Sequence, residues 1–420
     1  MGRGRAVSPN GHPMPLPTLR PSDSLQNVRY EIRGPLARRA LELEKSGREI
    51  IKLNIGNPGA FGFRAPEAMR RAIIENLEMA DAYCHQKGIF PAREAVVMQQ
   101  QSRGVMDVTV DDVFMGNGVS ELILLALRGL LNPGDEVLVP SPDYPLWTAA
   151  VTLNGGTAVH YPCPEASGFQ PDLERLKALV TPRTRALVVI NPNNPTGAVY
   201  PRATMEALAR LAEEHQLVFF SDEIYDQITY DGAQHVPAAT LVKKTLCATF
   251  GGLSKVYRAC GFRVGWLSFS GERAHAKDYL LALDLLASLR LCANVPGQWA
   301  VQTALGGHQS ILDLTRPGGR LYETRRAVID GLAKSRHLSA VAPQGAIYAF
   351  VRVKSAGPDF DDQRFALDLL ERKQVLVTPG HGFNVPYKDH FRITLLPDEK
   401  QMAEVFRRVE DLLDGYAPAR

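Results

Sequence analysis

The sequence GGLSKVYRACGFR, residues 251–263, decides both the fold and the chemistry of this chain. It follows an apolar run at 246–250, which has the length and composition of a buried strand. A lysine at the end of a strand, here Lys255, can bond covalently to the carbon of an aldehyde cofactor. Ser254 and Arg263 could hold that cofactor's phosphate, because arginine binds phosphate with a planar fork of donors. Ser-Lys pairs are common, so the interpretation depends on two further segments.

Both further segments lie upstream, and each follows a predicted buried parallel strand. The sequence NPNNPTG at 191–197 follows the apolar run at 186–190, and SDEIY at 221–225 follows the run at 217–220. In open α/β sheets, ligands bind outside the carboxyl ends of the strands. We therefore expect the polar residues after these strands to meet at one site.

The side chains at these strand ends suit one cofactor, pyridoxal phosphate, which carries both an aldehyde and a phosphate. Asp222 can keep the pyridine nitrogen protonated, which makes the ring an electron sink. The Tyr225 hydroxyl and the Asn194 amide can hydrogen-bond the phenolate oxygen of the ring. Glu223 competes with Asp222 for the first role on residue type alone. The sequence therefore predicts pyridoxal phosphate bound at Lys255.

The ordered set Asn-Pro-x-Asn-Pro-Thr-Gly, Asp-x-x-Tyr and Ser-Lys-x7-Arg resembles the fold-type I pyridoxal phosphate-dependent aminotransferases of class I/II. The resemblance runs from about Tyr30 to Arg392. Within that family, YEIRGP at 30–35, LNIGNP at 53–58 and GNGVSE at 116–121 look most like bacterial glutamate–pyruvate (alanine) aminotransferases. The resemblance implies an α/β fold, with a large doubly wound mixed-sheet domain and a smaller discontinuous α+β domain. It also selects Asp222 over Glu223, three residues before the tyrosine.

The order of predicted elements suggests how the domains divide the chain. A length of 420 residues predicts about two domains. We predict a disordered tail at 1–24 and an N-terminal arm with part of the small domain at 25–65. Strands alternate with helices over 66–310, which predicts the large cofactor-binding domain, and 311–420 is predicted to be the C-terminal small domain.

The composition, 45% hydrophobic and 22% charged, is typical of a globular protein, and the net charge of +3 gives no support for binding to nucleic acid or membrane. The five cysteines lack a CxxC spacing and predict thiols in a reducing compartment, the cytoplasm. The arginine-containing, acid-poor start could be a mitochondrial transit peptide, but its prolines favour a disordered tail. The ten histidines show no metal-binding spacing, and no metal is predicted.

A predicted phosphate site lies where the strand at 113–115 turns into a helix. The free backbone N–H groups of a helix N-terminus bind anions, so we assign Gly118, Val119 and Ser120 to the phosphate. The alternative is that Ser120 merely caps the helix. Many class I/II members carry a hydroxyl residue three positions before the lysine, where this chain has Gly252. Its absence puts the phosphate contact of Ser254 in doubt.

The resemblance assigns further roles that the residues alone do not establish. Tyr144 resembles the aromatic residue that stacks on the pyridine ring, and the Asn194–Pro195 bond is cis in the family. Arg392 matches the arginine that binds the substrate α-carboxylate, and Gly56 matches the glycine whose backbone lines the same carboxylate.

Two more features carried over from the family concern the partner subunit and the arm. Tyr83 resembles a tyrosine that reaches the phosphate of the neighbouring subunit, which implies a homodimer with shared active sites. Tyr30 and Arg33 lie in the stretch that covers the site in the alanine aminotransferase subgroup. They could recognise the distal carboxylate of glutamate, or Arg33 could simply anchor the arm.

The predicted activity is ping-pong transfer of an amino group between an amino acid and a 2-oxo acid, with Lys255 as base and acid. The resemblance favours alanine transaminase chemistry, in which L-alanine and 2-oxoglutarate give pyruvate and L-glutamate. Alternatives on the same fold are an aromatic, branched-chain or aspartate aminotransferase and a β-lyase. A non-catalytic regulator would need a DNA-binding domain or a lost lysine, and Lys255 is present.

Overall fold

The computed structural model describes residues 18–416 of the chain. Most of the predicted tail at 1–24 lies outside these residues, and within 18–24 every side chain is exposed. A single turn of 3-10 helix, Asp23–Leu25, leads into the arm.

The strands of the described chain are mostly short. They are β1 (Ile51–Lys52), β2 (Val113–Gly116), β3 (Glu136–Ser141), β4 (Thr157–Pro162), β5 (Thr184–Ile190), β6 (Val218–Asp222), β7 (Leu246–Gly252), β8 (Gly265–Gly271), β9 (Leu338–Ser339), β10 (Tyr348–Val353), β11 (Val375–Leu376), β12 (Thr378–Pro379) and β13 (His390–Thr394).

The α-helices of the same residues include several of 12 to 15 residues. They are α1 (Pro35–Lys45), α2 (Glu67–Glu75), α3 (Phe90–Ser102), α4 (Val119–Leu130), α5 (Leu146–Leu153), α6 (Leu173–Ala178), α7 (Arg202–Glu214), α8 (Lys277–Leu289), α9 (Val295–Gln298), α10 (Ala300–Gly306), α11 (Ile311–Thr315), α12 (Arg320–Lys334), α13 (Asp362–Lys373) and α14 (Glu399–Leu413).

A seven-stranded mixed sheet forms the centre of the molecule, in the order β2-β8-β7-β6-β5-β3-β4. The strands from β7 to β4 are parallel, and β8 runs antiparallel to both of its neighbours. The inner strands β5, β6 and β7 are buried almost throughout and mainly apolar, because both of their faces are covered. The predicted α/β mixed-sheet architecture is therefore confirmed.

Successive strand residues point to opposite faces of this sheet and enter two separate cores. Leu187 and Phe219 belong to one core, together with residues of α3, α7 and α10. Val188 and Phe220 belong to the other, together with residues of α4, α5 and α8. Helices thus cover both faces, and the polar residues after each strand are left at the edge of the sheet.

A second layer of structure combines the N-terminal and C-terminal parts of the described chain. A four-stranded sheet has the order β12-β13-β10-β9, and β1 pairs in parallel with β11. Its core joins α1 and Leu53 to residues of α12, α13 and α14. The predicted domain limits at 65/66 and 310/311 stay predictions. Among the residues described, no helix is long and apolar enough to cross a membrane.

Candidate active site

A cavity of about 660 Å³ opens at the carboxyl ends of β5, β6 and β7. All the site residues predicted from sequence line it except Gly118 and Tyr83. The lining residues are Tyr30, Ile32, Arg33, Ile55, Gly56, Asn57, Val119, Ser120, Tyr144, Ile190, Asn194, Asp222, Ile224, Tyr225, Ser254, Lys255, Cys260, Gly261, Arg263, Tyr348 and Arg392.

The parallel register of the sheet brings the strand-end residues together. Ile190 at the end of β5 pairs with Asp222 at the end of β6, and Asp222 pairs with Phe250 in β7. Asn194 therefore emerges beside Asp222, and Lys255 follows on the next strand. The Asn194–Pro195 peptide bond is cis, as in the family that the sequence resembles.

Asp222 is buried at the floor of the cavity. Its Oδ2 atom accepts a hydrogen bond from the indole Nε1 of Trp147 at 3.1 Å, and its Oδ1 atom lies 3.4 Å from the backbone nitrogen of Ile224. Burial raises the pKa of Asp222 to about 6, and the indole donor partly opposes that rise. This carboxylate would be better satisfied by a cationic partner inside the cavity.

Glu223 points away from the cavity, although it is adjacent to Asp222. Its carboxylate accepts hydrogen bonds from Ser221 and from the backbone of Ala238, both at 3.0 Å. His235 and Arg103 lie 3.1 and 3.6 Å from its other oxygen. Burial raises the pKa of Glu223, but these two partners and the backbone N–H of Ala238 together hold it below its usual range. Of the two neighbouring carboxylates, only Asp222 faces the cavity.

The Lys255 amine faces the opposite wall, where Nζ donates to the backbone oxygen of Gly56 at 2.6 Å. A Cβ atom on Gly56 would lie 2.1 Å from the Tyr348 hydroxyl, so a larger residue here would displace the Tyr348 side chain. The Tyr225 hydroxyl donates to Tyr348 at 3.1 Å. These contacts place the amine and two hydroxyl groups on the cavity wall.

A glycine turn and a guanidinium group form an anion-binding corner at the start of α4. Gly118 is the N-cap, with φ +83° and no side-chain cap, so Ser120 lies inside the first turn and does not cap the helix. A Cβ on Gly118 would lie 2.2 Å from Arg263, which explains the glycine even though it does not line the cavity. Arg263 donates to the backbone oxygens of Asn117 and Cys260 at 3.1 and 3.0 Å.

Gly252, where many relatives have a hydroxyl residue, lies in close contact with its neighbours. A Cβ there would lie 3.0 Å from the backbone oxygen of Val264 and 3.2 Å from the side chain of Ile224. A hydroxyl side chain would therefore need the neighbouring backbone to shift. The Cys260 thiol donates to the Ser254 backbone oxygen at 2.8 Å and braces the turn that carries the lysine.

Arg392 lies in β13, lines the cavity and is 1% exposed. It donates to Oδ1 of Asn194 at 3.0 Å and to the backbone oxygen of Asn54. Its guanidinium carbon lies 4.3 Å from the ring centre of Tyr348 and 4.9 Å from that of Phe383. Its Nε donor is buried and has no hydrogen-bond partner in the described structure, and the side chain lines the cavity, where its charge favours an anion.

The arm, residues 30–33, closes the remaining side of the cavity. The hydroxyls of Tyr30 and Tyr144 lie 3.1 Å apart, and their rings meet edge to face. Arg33 is exposed at the cavity mouth. Tyr83, in contrast, is 78% exposed and lies outside the cavity of its own chain.

Sequence reasoning missed Trp147 and Tyr348, which contact the predicted residues directly. Trp147 lies in the first turn of α5, three residues after Tyr144, and this short separation was the one available signal that both lie near the same site. Tyr348 reaches the cavity through the pairing of β10 with β13, where it lies opposite Thr394. No local sequence pattern predicts the pairing of β10 with β13, because the two strands lie far apart in sequence.

The donors around the cavity fit pyridoxal phosphate. A buried carboxylate without a strong cationic partner suits a protonated ring nitrogen, and the hydroxyl and amide of Tyr225 and Asn194 suit a phenolate. The turn before α4, together with Arg263, suits a phosphate dianion. The Lys255 amine is the nucleophile that an aldehyde needs.

Comparison with known proteins agrees with this chemistry. Residues 48–409 match the family described as aminotransferase class I and II. The chain is 50% identical over 396 residues to glutamate-pyruvate aminotransferase AlaA of Escherichia coli K12, covering 94% of this chain and 98% of the relative. It is 50% identical over 397 residues to alanine aminotransferase of Mycobacterium tuberculosis H37Rv, covering 94% and 92%.

A solved structure of an aminotransferase from Escherichia coli superimposes with a TM-score of 0.94 at 49% sequence identity, covering 95% of this chain and 99% of the other. The family match at 48–409 includes every strand of the central sheet and every predicted site residue except Tyr30 and Arg33. The chain therefore belongs to the class I and II aminotransferases and is an enzyme that depends on pyridoxal phosphate.

Proposed function

We propose that this aminotransferase exchanges an amino group between L-alanine and 2-oxoglutarate, giving pyruvate and L-glutamate in a reversible ping-pong reaction. The observation that carries the proposal is the pair of arginines in the cavity, Arg392 on its buried wall and Arg33 at its mouth. All amino acids present an α-carboxylate, and glutamate adds a distal one. The names of the relatives at 50% identity support the same substrates.

The cofactor-binding residues follow from the donor set. We assign the phosphate to the turn formed by Gly118, Val119 and Ser120, with Arg263 and Ser254 beside it. When bound, pyridoxal phosphate supplies a carbonyl carbon that accepts the amino group and a ring that withdraws electrons from it.

Four side chains would hold the ring. Asp222 provides the negative charge opposite the ring nitrogen, and Asn194 and Tyr225 hydrogen-bond the phenolate oxygen. Tyr144 lies at the cavity wall, where an aromatic face can stack on the ring.

Lys255 moves the proton in each half-reaction. Its amine would take the proton from the α-carbon of the bound amino acid and hold it at Nζ until it is returned within the same half-reaction. Arg392 holds the α-carboxylate with paired N–H donors, and the backbone of Gly56 lines the same place. In the first half-reaction an amino acid leaves as its 2-oxo acid, and in the second a different 2-oxo acid leaves as its amino acid.

We propose that two copies of the chain share their active sites, with Tyr83 reaching the phosphate of the partner. The support is an exposed apolar stripe on α8, made of Leu281, Leu285 and Leu289. Gln86 donates to Asp284 of the same helix at 3.1 Å, so the segment that carries Tyr83 adjoins this stripe. Burial of these three leucines against a second copy would stabilise the dimer, because it removes exposed apolar surface from water.

The oligomeric state can be tested by light scattering. We expect a mass near twice 46.2 kDa for the holoenzyme. Leu285→Glu should shift it toward monomer, whereas the matched control Leu312→Glu, on another exposed helix surface, should not. A monomeric wild type that remains fully active would contradict shared active sites.

Two further assignments remain part of the proposal. The composition and the similarity to bacterial enzymes favour the cytoplasm as the location. A large domain at 66–310 and a discontinuous small domain at 25–65 and 311–420 would let the cavity close between them, since the arm and Arg392 belong to the small one.

A substrate panel tests the proposed reaction. L-Alanine, L-aspartate, L-phenylalanine and L-leucine would each be supplied with 2-oxoglutarate, and each 2-oxo product would be measured with initial rates. We expect the highest kcat/KM for alanine. A preference of tenfold or more for aspartate, phenylalanine or leucine would favour the alternative aminotransferases, and release of ammonia without a 2-oxo acceptor would indicate a lyase.

A further inference from the structure

Asn54 connects the arm to Arg392, and both the arm and Arg392 line the cavity. Its side chain is 4% exposed, and Nδ2 donates to the backbone oxygen of Ile32 at 2.9 Å. Its own backbone oxygen accepts from Arg392 and, at 3.2 Å, from the Thr378 hydroxyl. One residue thus reaches the arm through its amide group and the substrate-binding wall through its main chain.

The arm depends on such contacts because it cannot hold its own shape. Its only regular structure is one 3-10 turn, Glu31–Arg33, which is too short to be stable alone. Within the described residues, two side-chain hydrogen bonds tie the arm to the rest of the chain, one from Asn54 and one between Tyr30 and Tyr144. The Asn54 bond is attached to the backbone directly before Arg33.

We propose that Asn54 is a positioning residue that sets specificity for the dicarboxylic substrate by fixing the arm over the cavity. This inference rests on the proposed function, in which Arg33 recognises the distal carboxylate of glutamate. The Arg33 side chain is exposed, so the backbone at Ile32 and Arg33 sets the point from which its guanidinium reaches the cavity. Alanine has no distal carboxylate, so its half-reaction should keep its rate when the hydrogen bond from Asn54 to Ile32 is lost.

A substitution at Asn54 can remove its side-chain hydrogen bond to Ile32 without removing the backbone oxygen that binds Arg392. Asn54→Ala removes the amide donor to Ile32 and keeps the backbone oxygen that Arg392 uses. Losing one neutral hydrogen bond should slow the glutamate half-reaction roughly two- to tenfold. The alanine half-reaction should stay within about twofold of wild type. Asn154→Ala is the matched control, because its Nδ2 also donates to a backbone oxygen, at 2.8 Å, away from the cavity.

A double-mutant cycle in the holoenzyme tests whether Asn54 acts through Arg33. The two half-reactions would be followed separately by single-turnover absorbance for Asn54→Ala, Arg33→Ala and the double variant. If the proposal is right, Asn54→Ala adds little to the loss that Arg33→Ala already causes. Losses that add fully, or that are equal for glutamate and alanine, would overturn it. Asn54→Ser, which is smaller and still polar, replaces the alanine variant if that one does not fold.

Hydrogen exchange gives a measurement that does not depend on turnover. Backbone amides at 31–34 should exchange faster in Asn54→Ala than in wild type or Asn154→Ala. Unchanged exchange in the arm would overturn the proposed tether even if rates fall. The failure of the proposed function looks different, because wild type would then fail the substrate panel while the arm of Asn54→Ala still exchanged faster.

Discussion

The two sides of the cavity are built in different ways. One side, the strand-end wall of Asn194, Asp222 and Lys255, follows three neighbouring parallel strands whose register fixes its spacing. The other side is the arm, one short turn that two side-chain hydrogen bonds tie to the rest of the described chain. The difference suggests that reaction chemistry resides on the rigid sheet, while the choice of substrate resides on a segment that can change at little cost to the fold.

The largest effect should follow from changing the wall at Lys255. Lys255→Ala should lower turnover roughly 10⁴-fold or more, because both the nucleophile and the proton carrier are lost. Borohydride treatment of wild-type holoenzyme should leave the cofactor's mass on the peptide that contains Lys255. Attachment to another lysine would contradict the whole assignment of the wall.

Asp222→Ala should have the next largest effect, a loss of about 10³-fold in kcat with the fold retained, because no anion then faces the ring nitrogen. The matched control is Glu223→Gln, which changes the neighbouring carboxylate that points away from the cavity. That variant should lose stability and keep its rate within about tenfold. Comparable rate losses in both variants would contradict the assignment of Asp222 as the one carboxylate that acts on the ring nitrogen.

Arg392→Lys should weaken both half-reactions by about tenfold to a hundredfold in kcat/KM, the value of one charge-assisted hydrogen bond. Lysine keeps the charge but cannot form the planar fork. Glutamate and alanine should suffer alike, because both present an α-carboxylate. A loss confined to one substrate would show that Arg392 distinguishes between substrates and does not bind the α-carboxylate that they share.

Arg33→Ala tests the arm by the same two half-reactions. Unlike Arg392→Lys, it should affect glutamate and leave alanine nearly unchanged. We expect the glutamate half-reaction to fall by roughly tenfold, at the lower end for a charged hydrogen bond because the side chain is exposed to solvent. The alanine half-reaction should stay within a few-fold. Equal losses would mean that Arg33 only anchors the arm, and the comparison between the two sides of the cavity would lose its basis.

Trp147→Phe should have the smallest effect on rate, a loss of a few-fold, since the ring packing is kept and one donor to Asp222 is removed. Without that donor, the pKa of Asp222 should rise above its value of about 6. Folded Asp222 holds its proton more tightly than the unfolded chain does. The cofactor-free protein should therefore lose stability as pH rises from the ordinary carboxyl range through about 6, and in Trp147→Phe the loss should continue to higher pH.

Carboxyl carbon NMR of the cofactor-free protein would give the pKa of Asp222 in both proteins, and thermal unfolding at several pH values would give the stability. An unchanged pKa in Trp147→Phe would show that burial alone determines the titration of this carboxylate.

Residues from both sides of the cavity were predicted to line it, but only the strand-end side followed from the order of the strands. Asn194, Asp222 and Lys255 each come a few residues after an apolar run, and parallel strands bring their carboxyl ends to one edge. Their positions after predicted parallel strands were therefore enough to predict that these three residues lie in one site. The cis state of the Asn194 bond and the mixed sheet also agree with the resemblance.

The residues that sequence did not place depend on contacts across long stretches of chain. Tyr348 meets Tyr225 across 123 positions, and Asn54 meets Arg392 across 338. Such contacts follow from how β10 and β13 pair and how β1 joins β11, which no local periodicity encodes. The orientation of Glu223 also required the structure, because Asp222 and Glu223 are adjacent and chemically alike.

The setting of Arg392, held between two aromatic rings with one N–H unpartnered, has a consequence for the purified protein. A permanently charged group buried with a free donor raises the free energy of the empty site. Any small carboxylate that fills this place should stabilise the fold by mass action and raise Tm with its concentration. Acetate, formate or citrate in a storage buffer should therefore protect the enzyme and at the same time compete with its substrates.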